Sequence, residues 1–254
     1  ARFATDRIIV ISQQQFKEIQ GDFGIGRAKQ FTVIPLGIDL EPFGEATNER
    51  DAIRSELYAV DNQILVGFVG RLTEIKNISL LFQAAERYFA GSDTELPKLS
   101  FVVVGDGHLR EPLEAEVEQR SLNNKVAFLG NRTDIEAIYA GLDIVALTSL
   151  NEGTPLSLIE AMASGRPVIS TAVGGVIDLL GEVLETHDGF NVCERGIGVM
   201  PISGQGFLNG LIYLIKNEKL RESIIANARE FVRATYSKDR LVNDVRELYR
   251  ELVR

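Results

Sequence analysis

Short apolar runs alternate with amphipathic stretches along most of the 254-residue chain. The runs over 64–69, 99–104, 126–129, 143–148 and 167–170 predict strands. Segments such as FVVV (101–104) and IVAL (144–147) have no polar position at all, as expected where helices cover both faces of a parallel sheet. Between these runs, apolar residues recur at helical spacing over 77–89, 109–119, 134–140 and 156–163. Upstream, strands are predicted over 7–11 and within 30–39, with a short helix over 13–19 between them. The polar, Pro- and Gly-containing segment 41–48 reads as a linker. Beyond Gly206 the pattern is helical nearly to the end, and a last helix over 238–253 puts Val242, Val245, Tyr249 and Leu252 on one stripe. Together these elements predict an α/β fold, a Rossmann-like parallel sheet covered by helices on both faces.

Composition narrows the classes of function. Hydrophobic residues make up 45% of the chain, enough for a substantial core, and no apolar run approaches the roughly 20 residues that span a bilayer. The single cysteine, Cys193, excludes an intramolecular disulfide and suits a reducing cytoplasm. Two histidines and one cysteine leave a structural zinc ion without its ligands. The net charge of −9 opposes non-specific nucleic-acid binding, although one cationic pocket for a phosphorylated ligand remains compatible with it. The opening ARFATDRIIVIS has no Met and no signal-peptide architecture, so the chain is expected to be a fragment lacking an upstream part.

Ligands of open parallel sheets bind beyond the carboxyl ends of the strands, which directs attention to loops 70–76, 105–108, 130–133 and 149–154. In the first, Gly70 permits close backbone approach, and Arg71 and Lys76 either converge on a phosphate or lie solvated on the surface. In VVGDGHL (103–109), Asp106 serves a tight turn or faces a ligand. His108 reads as a surface residue at a helix start, without a visible carboxylate partner. The stretch NEGTPLSLIEAMASG (151–165) is richer. Thr154 is placed as N-cap, Pro155 as the first helical residue and Gly165 as the left-handed exit. A helix start beside Gly153 attracts anions, and Glu160, over a turn further on, could accept hydrogen bonds from a ribose diol. The alternative is a structural pair between Glu160 and Arg166. No Walker A motif, Asp-x-Asp pair or Gly-x-Ser-x-Gly elbow occurs, and GDFGIGRA follows a helix rather than a strand.

These residues resemble the C-terminal, donor-binding domain of the retaining GT-B glycosyltransferases of family 4. GRLTEIKN (70–77) is similar to that family's Gly-Arg-Leu-x-x-x-Lys stretch, and Glu152 and Glu160 have its Glu-x7-Glu spacing. The surroundings over 141–175 match nearly throughout, and VIPLGIDLEPF (33–43) looks like the segment joining its two domains. The resemblance implies that Arg71 and Lys76 hold the donor diphosphate, Glu160 the ribose and Glu152 the transferred sugar. The main chain of Gly153, Thr154, Pro155 and Leu156, with the N–H groups of that stretch, would surround sugar and phosphates. Gly130, Asn131 and Arg132 would lie by the base. Three parts are expected: residues 1–40 as the end of the N-terminal domain and the linker, 41–235 as the nucleotide-sugar domain, and 236–254 as a helix returning toward the N-terminal domain.

The implied activity is transfer of a sugar from a nucleotide-diphospho-sugar to a carbohydrate, lipid-linked or other acceptor, with retention and with neither metal nor cofactor. The fragment alone is expected to be weakly active. The expected compartment is the cytoplasm, with the inner face of the membrane left open and any peripheral association made through the absent domain. Two alternatives stand beside this: a nucleotide-sugar-binding module without catalysis, and a GT-B-like epimerase or phosphorylase.

Overall fold

Strands β1 (Ile8–Val10) and β2 (Phe31–Val33) pair in parallel as a small sheet of their own, with helix α1 (Gln13–Phe16) and a π-helical turn (Lys17–Asp22) between them. The computed structural model describes residues 5–45, 49–91, 96–200 and 202–253. Helix α2 (Glu41–Glu45) occupies the start of the expected linker, whose end, residues 46–48, lies outside the described residues, and α3 (Arg50–Glu56) comes after it. Their sequences carry few apolar positions, and packing against the helix over 135–141 is what makes them helical.

The main sheet contains β3 (Ile64–Val69), β4 (Leu99–Val104), β5 (Val126–Gly130), β6 (Ile144–Leu147), β7 (Val168–Thr171), β8 (Val183–His187), β9 (Phe190–Cys193) and β10 (Gly196–Val199). Its spatial order is β5-β4-β3-β6-β7-β10-β9-β8. Neighbours from β5 to β10 are parallel, and β9 and β8 close the edge antiparallel. Residues 183–199 thus form two hairpins. Asp188-Gly189 turns the first, with Gly189 at φ +83°, an Asp-Gly signal hidden by the brevity of its strands.

Helices α4 (Ser79–Ala90), α5 (Arg110–Gln119), α6 (Ile135–Gly141), α7 (Leu156–Ala163) and α8 (Gly175–Leu180) follow successive strands. Three longer ones, α9 (Gly204–Lys216), α10 (Glu218–Tyr236) and α11 (Lys238–Leu252), close the chain. Contacts of α4 with α9, α3 with α6 and α7 with α10 leave the central strands covered: all four residues of β6 and of β7 are buried. On α11 the stripe is not covered by the described residues: Val242 is 52% and Tyr249 65% exposed, whereas Leu248 is buried. Leu241 packs instead against Gly37, and Arg240 donates to the Pro35 and Leu36 carbonyls.

At the amino end of the sheet, Asp143 accepts from Arg50 (2.5 Å), Arg54 (2.8 Å) and the Leu65 N–H (2.8 Å). It fastens α3 to the start of β3 and β6. Replacing it by Ala leaves two cations and a backbone donor without their acceptor, and should lower unfolding free energy by about 2–3 kcal/mol. Urea unfolding of Asp143→Ala measures this, and nucleotide affinity should not change because the site lies at the opposite end of the strands.

Candidate functional site

The strand order reverses between β3 and β6, so the loops leaving their carboxyl ends diverge and open a crevice. Backbone hydrogen bonds hold the surrounding loops. Gly70 N–H donates to Val104, Leu72 N–H to Asp106 and Gly105 N–H to Gly130, all at 2.8–3.0 Å. Across the crevice, Leu150 N–H donates to the Ile75 carbonyl and Thr148 Oγ1 to that of Lys76, each at 2.8 Å. Gly105 sits at φ +124°, and a Cβ there would lie 2.0 Å from the Gly70 carbonyl oxygen. Only glycine fits.

Lys76 and Glu152, expected to serve one ligand, already meet: Nζ lies 2.5 Å from Oε1, and the side chains are 20% and 11% exposed. Ser149 Oγ donates to the same oxygen at 2.6 Å. The Glu152 carbonyl in turn accepts from the Gly175 N–H at 2.8 Å, and a Cβ on Gly175 would fall 1.7 Å from the Gly153 carbonyl oxygen. The loop after β7 thus lies directly on the loop after β6. Arg71 is exposed and has no ion-pair partner among the described residues.

Helix α7 has the expected span, but its cap lies one residue later than expected. Pro155, with ψ 83°, is the cap residue, and its carbonyl accepts from Leu158 and Ile159; Thr154 is not the N-cap. No side chain caps the start, which leaves the N–H groups of the first turn available to a ligand beside Gly153. Gly165, at φ +68°, is the expected left-handed exit. Glu160 is the one charged residue of α7 and is largely buried. It does not pair with Arg166, which donates instead to the Ser164 and Leu142 carbonyls. Its partner is Tyr139 of α6, whose hydroxyl donates to Oε2 at 2.9 Å. Burial pushes the Glu160 carboxyl up, Tyr139 holds it down, and the Glu136 charge raises it again.

Other candidates are engaged differently. Arg132 is clamped by Asp134 and then Glu56, which hold its guanidinium firmly protonated, while Asn131 beside it is exposed. Gly130 ends β5 at φ +66°, and Arg110 Nη1 lies 2.9 Å from where its Cβ would be. His108 does have a carboxylate partner, Glu74 from the neighbouring loop, at 2.9 and 3.0 Å. Asp106 accepts from the Gly107 N–H at 2.7 Å and so braces its own turn. Sequence reasoning missed Tyr139, Ser149 and Arg110. Ser149, three residues before Glu152, carried the only local signal.

Solved structures share this architecture. Anabaena Alr3699/HepE in complex with UDP aligns with TM-score 0.80 at 25% identity, over 97% of this chain and 64% of that one. A glycosyltransferase of Rickettsia africae aligns with TM-score 0.84 at 18% identity, over 98% and 64%, a likeness of fold alone. The fold is that of GT-B glycosyltransferases. Residues 49–231 match the family Glycosyl transferases group 1, and the chain belongs to it. An Escherichia coli UDP-Gal:alpha-D-GlcNAc-diphosphoundecaprenol alpha-1,3-galactosyltransferase is 31% identical over 88% of the chain. A D-inositol 3-phosphate glycosyltransferase of Corynebacterium urealyticum is 30% identical over 97%. The chain spans 55% and 57% of the length of these two relatives. Among the described residues no helix is long and apolar enough to cross a membrane.

The raised Glu160 carboxyl has a consequence for stability. A group whose folded pKa exceeds its unfolded value near 4.5 favours the fold when protonated, and that contribution is lost as pH rises through the folded value. Glu160→Gln, which keeps an acceptor for Tyr139, should therefore melt above the parent at pH 7. The two melting curves should converge below pH 4.5, as thermal scans across pH would read.

Proposed function

We propose that this chain is the donor-binding portion of a glycosyltransferase that moves a sugar from a nucleoside diphosphate sugar to an acceptor with retention at the anomeric carbon. The observation that carries the reading is the arrangement around α7: Lys76 and Glu152 at its uncapped start, and Glu160 presented one turn inside, all at the strand reversal. A phosphate at the helix start would lie between the dipole and the two cations Arg71 and Lys76. A ribose would reach Glu160, the sugar would meet Glu152, and the base would lie toward Gly130, Asn131 and Arg132.

In the transfer, the bond between the anomeric carbon and the phosphate oxygen breaks, a bond from that carbon to an acceptor hydroxyl oxygen forms, and charge grows on the departing diphosphate, which takes up the hydroxyl proton. Two cations and oriented N–H groups stabilise that charge without a divalent ion. Lys76 must then exchange part of its contact with Glu152 for phosphate, which frees the carboxylate to accept from sugar hydroxyls. The UDP complex of the Anabaena protein makes UDP the first donor nucleotide to test, and the name of the E. coli relative favours a lipid-linked acceptor. Such an acceptor would bring the protein to the cytoplasmic face of a membrane, through a domain outside this chain.

Glu160→Ala should lose roughly ten- to a hundredfold in UDP affinity, the cost of a charge-assisted hydrogen bond, but little in affinity for 2′,3′-dideoxy-UDP. Calorimetry with both ligands checks it, and an unchanged ratio would sink the ribose assignment. In the proposed two-domain protein, Lys76→Ala should lower kcat by about 10² at saturating donor. Near-parental turnover would return Lys76 to a structural role, and loss of transfer in EDTA would defeat the metal-free reading.

A further inference from the structure

Tyr139 is fully buried, yet it carries a hydroxyl where a phenyl ring would fill nearly the same space. Its ring stands edge-on to Phe43 of α2, with centroids 5.9 Å apart at 62°. The one hydrogen bond its hydroxyl makes among the described residues is to Glu160 Oε2. A buried phenol with no acceptor would be destabilising, so the carboxylate is what makes tyrosine tolerable at this position. We propose that Tyr139 is the positioning residue of the nucleotide site, pinning one oxygen of Glu160 so that the other is presented ready-oriented to the ribose hydroxyls. The inference rests on the reading of Glu160 as the ribose acceptor.

Physical reasons converge on this role. The terminal torsion of a glutamate is broad, so an unanchored carboxylate would lose rotational freedom each time a ligand bound. The bond from Tyr139 removes that freedom beforehand. Direction is fixed as well: burial, followed by the Glu160 charge and the bond itself, pushes the phenol well above its usual pKa, so Tyr139 stays a donor. From α6, two residues three apart act on the carboxylate, Tyr139 by hydrogen bonding and Glu136 by repulsion. The phenol therefore also opposes the protonation of Glu160 that burial and Glu136 favour. Phe43 holds the ring that carries the hydroxyl.

The test is Tyr139→Phe in this chain, which removes one oxygen and keeps the ring. UDP affinity should fall about five- to tenfold while 2′,3′-dideoxy-UDP affinity stays at the parental value, so that ribose discrimination shrinks. The acid limb of UDP binding should also move to higher pH, because Glu160 becomes easier to protonate. An equal loss for both ligands, or no loss for either, overturns the proposal in favour of a packing role. Glu160→Ala measured alongside separates the two levels. If it keeps the parental ratio, the ribose reading fails and the inference with it. If it abolishes the ratio while Tyr139→Phe preserves it, the inference alone fails. Should Tyr139→Phe not fold, Phe43→Leu keeps the hydroxyl but releases the ring. A reduced UDP-to-dideoxy ratio in that variant supports positioning, and an unchanged ratio overturns it.

Discussion

A parallel sheet whose strand order turns back on itself leaves a gap that no connection can bridge. Beyond β3 the chain departs toward β4, beyond β6 it departs toward β7, and the ends of the two neighbouring strands are left with diverging loops. Everything placed at this site answers that topological fact. The loops are stitched by Leu150 to Ile75 and by Thr148 to Lys76, which closes the floor of the crevice while its mouth stays open. Packing on both faces makes the floor rigid, since β6 and β7 are buried throughout.

On that floor the charges are arranged to neutralise one another at rest. Lys76 faces Glu152 with Ser149 as a second donor, so neither ion is buried alone. Glu160 is treated differently: it has a neutral phenol rather than a cation for a partner, and a second carboxylate nearby. One carboxylate is therefore satisfied by charge and the other only by orientation. Under the proposed reading the first would surrender a partner to an arriving phosphate, whereas the second would keep its own. That asymmetry would suit release of a diphosphate from a site that holds its ribose throughout.

Much of this was legible from residue order. Strands 64–69 and 99–104 and the helix 156–163 coincide with the observed β3, β4 and α7, because apolar runs broken only by Gly67 and Ser100, and a Gly exit, leave little choice. Position at strand ends led to Arg71, Lys76 and Glu152, and position inside the helix to Glu160; the structure brings Lys76 and Glu152 together. What escaped has physical reasons. Helices α2 and α3 owe their form to tertiary contact with α6 rather than to periodicity. The four-residue strands β9 and β10 are too short to show alternation. Tyr139 lies 21 positions before Glu160, and only the packing of α6 on α7 makes them neighbours. The cap at Pro155 rather than Thr154 turns on a single backbone torsion, which residue type does not report.

The stitching of the loops, by main-chain pairs with the Thr148 hydroxyl beside them, bears on how this protein tolerates change. A backbone donor and acceptor remain in place under any side chain but proline's, so loop positions other than Thr148 can change without removing the bonds that hold the crevice. Glycines 105 and 175 are exceptions, because there the main chains themselves touch. The bonds that hold the frame are thus largely separate from the side chains that line the mouth. Such a scaffold divides its labour: main chain keeps the crevice open, and side chains decide what enters it.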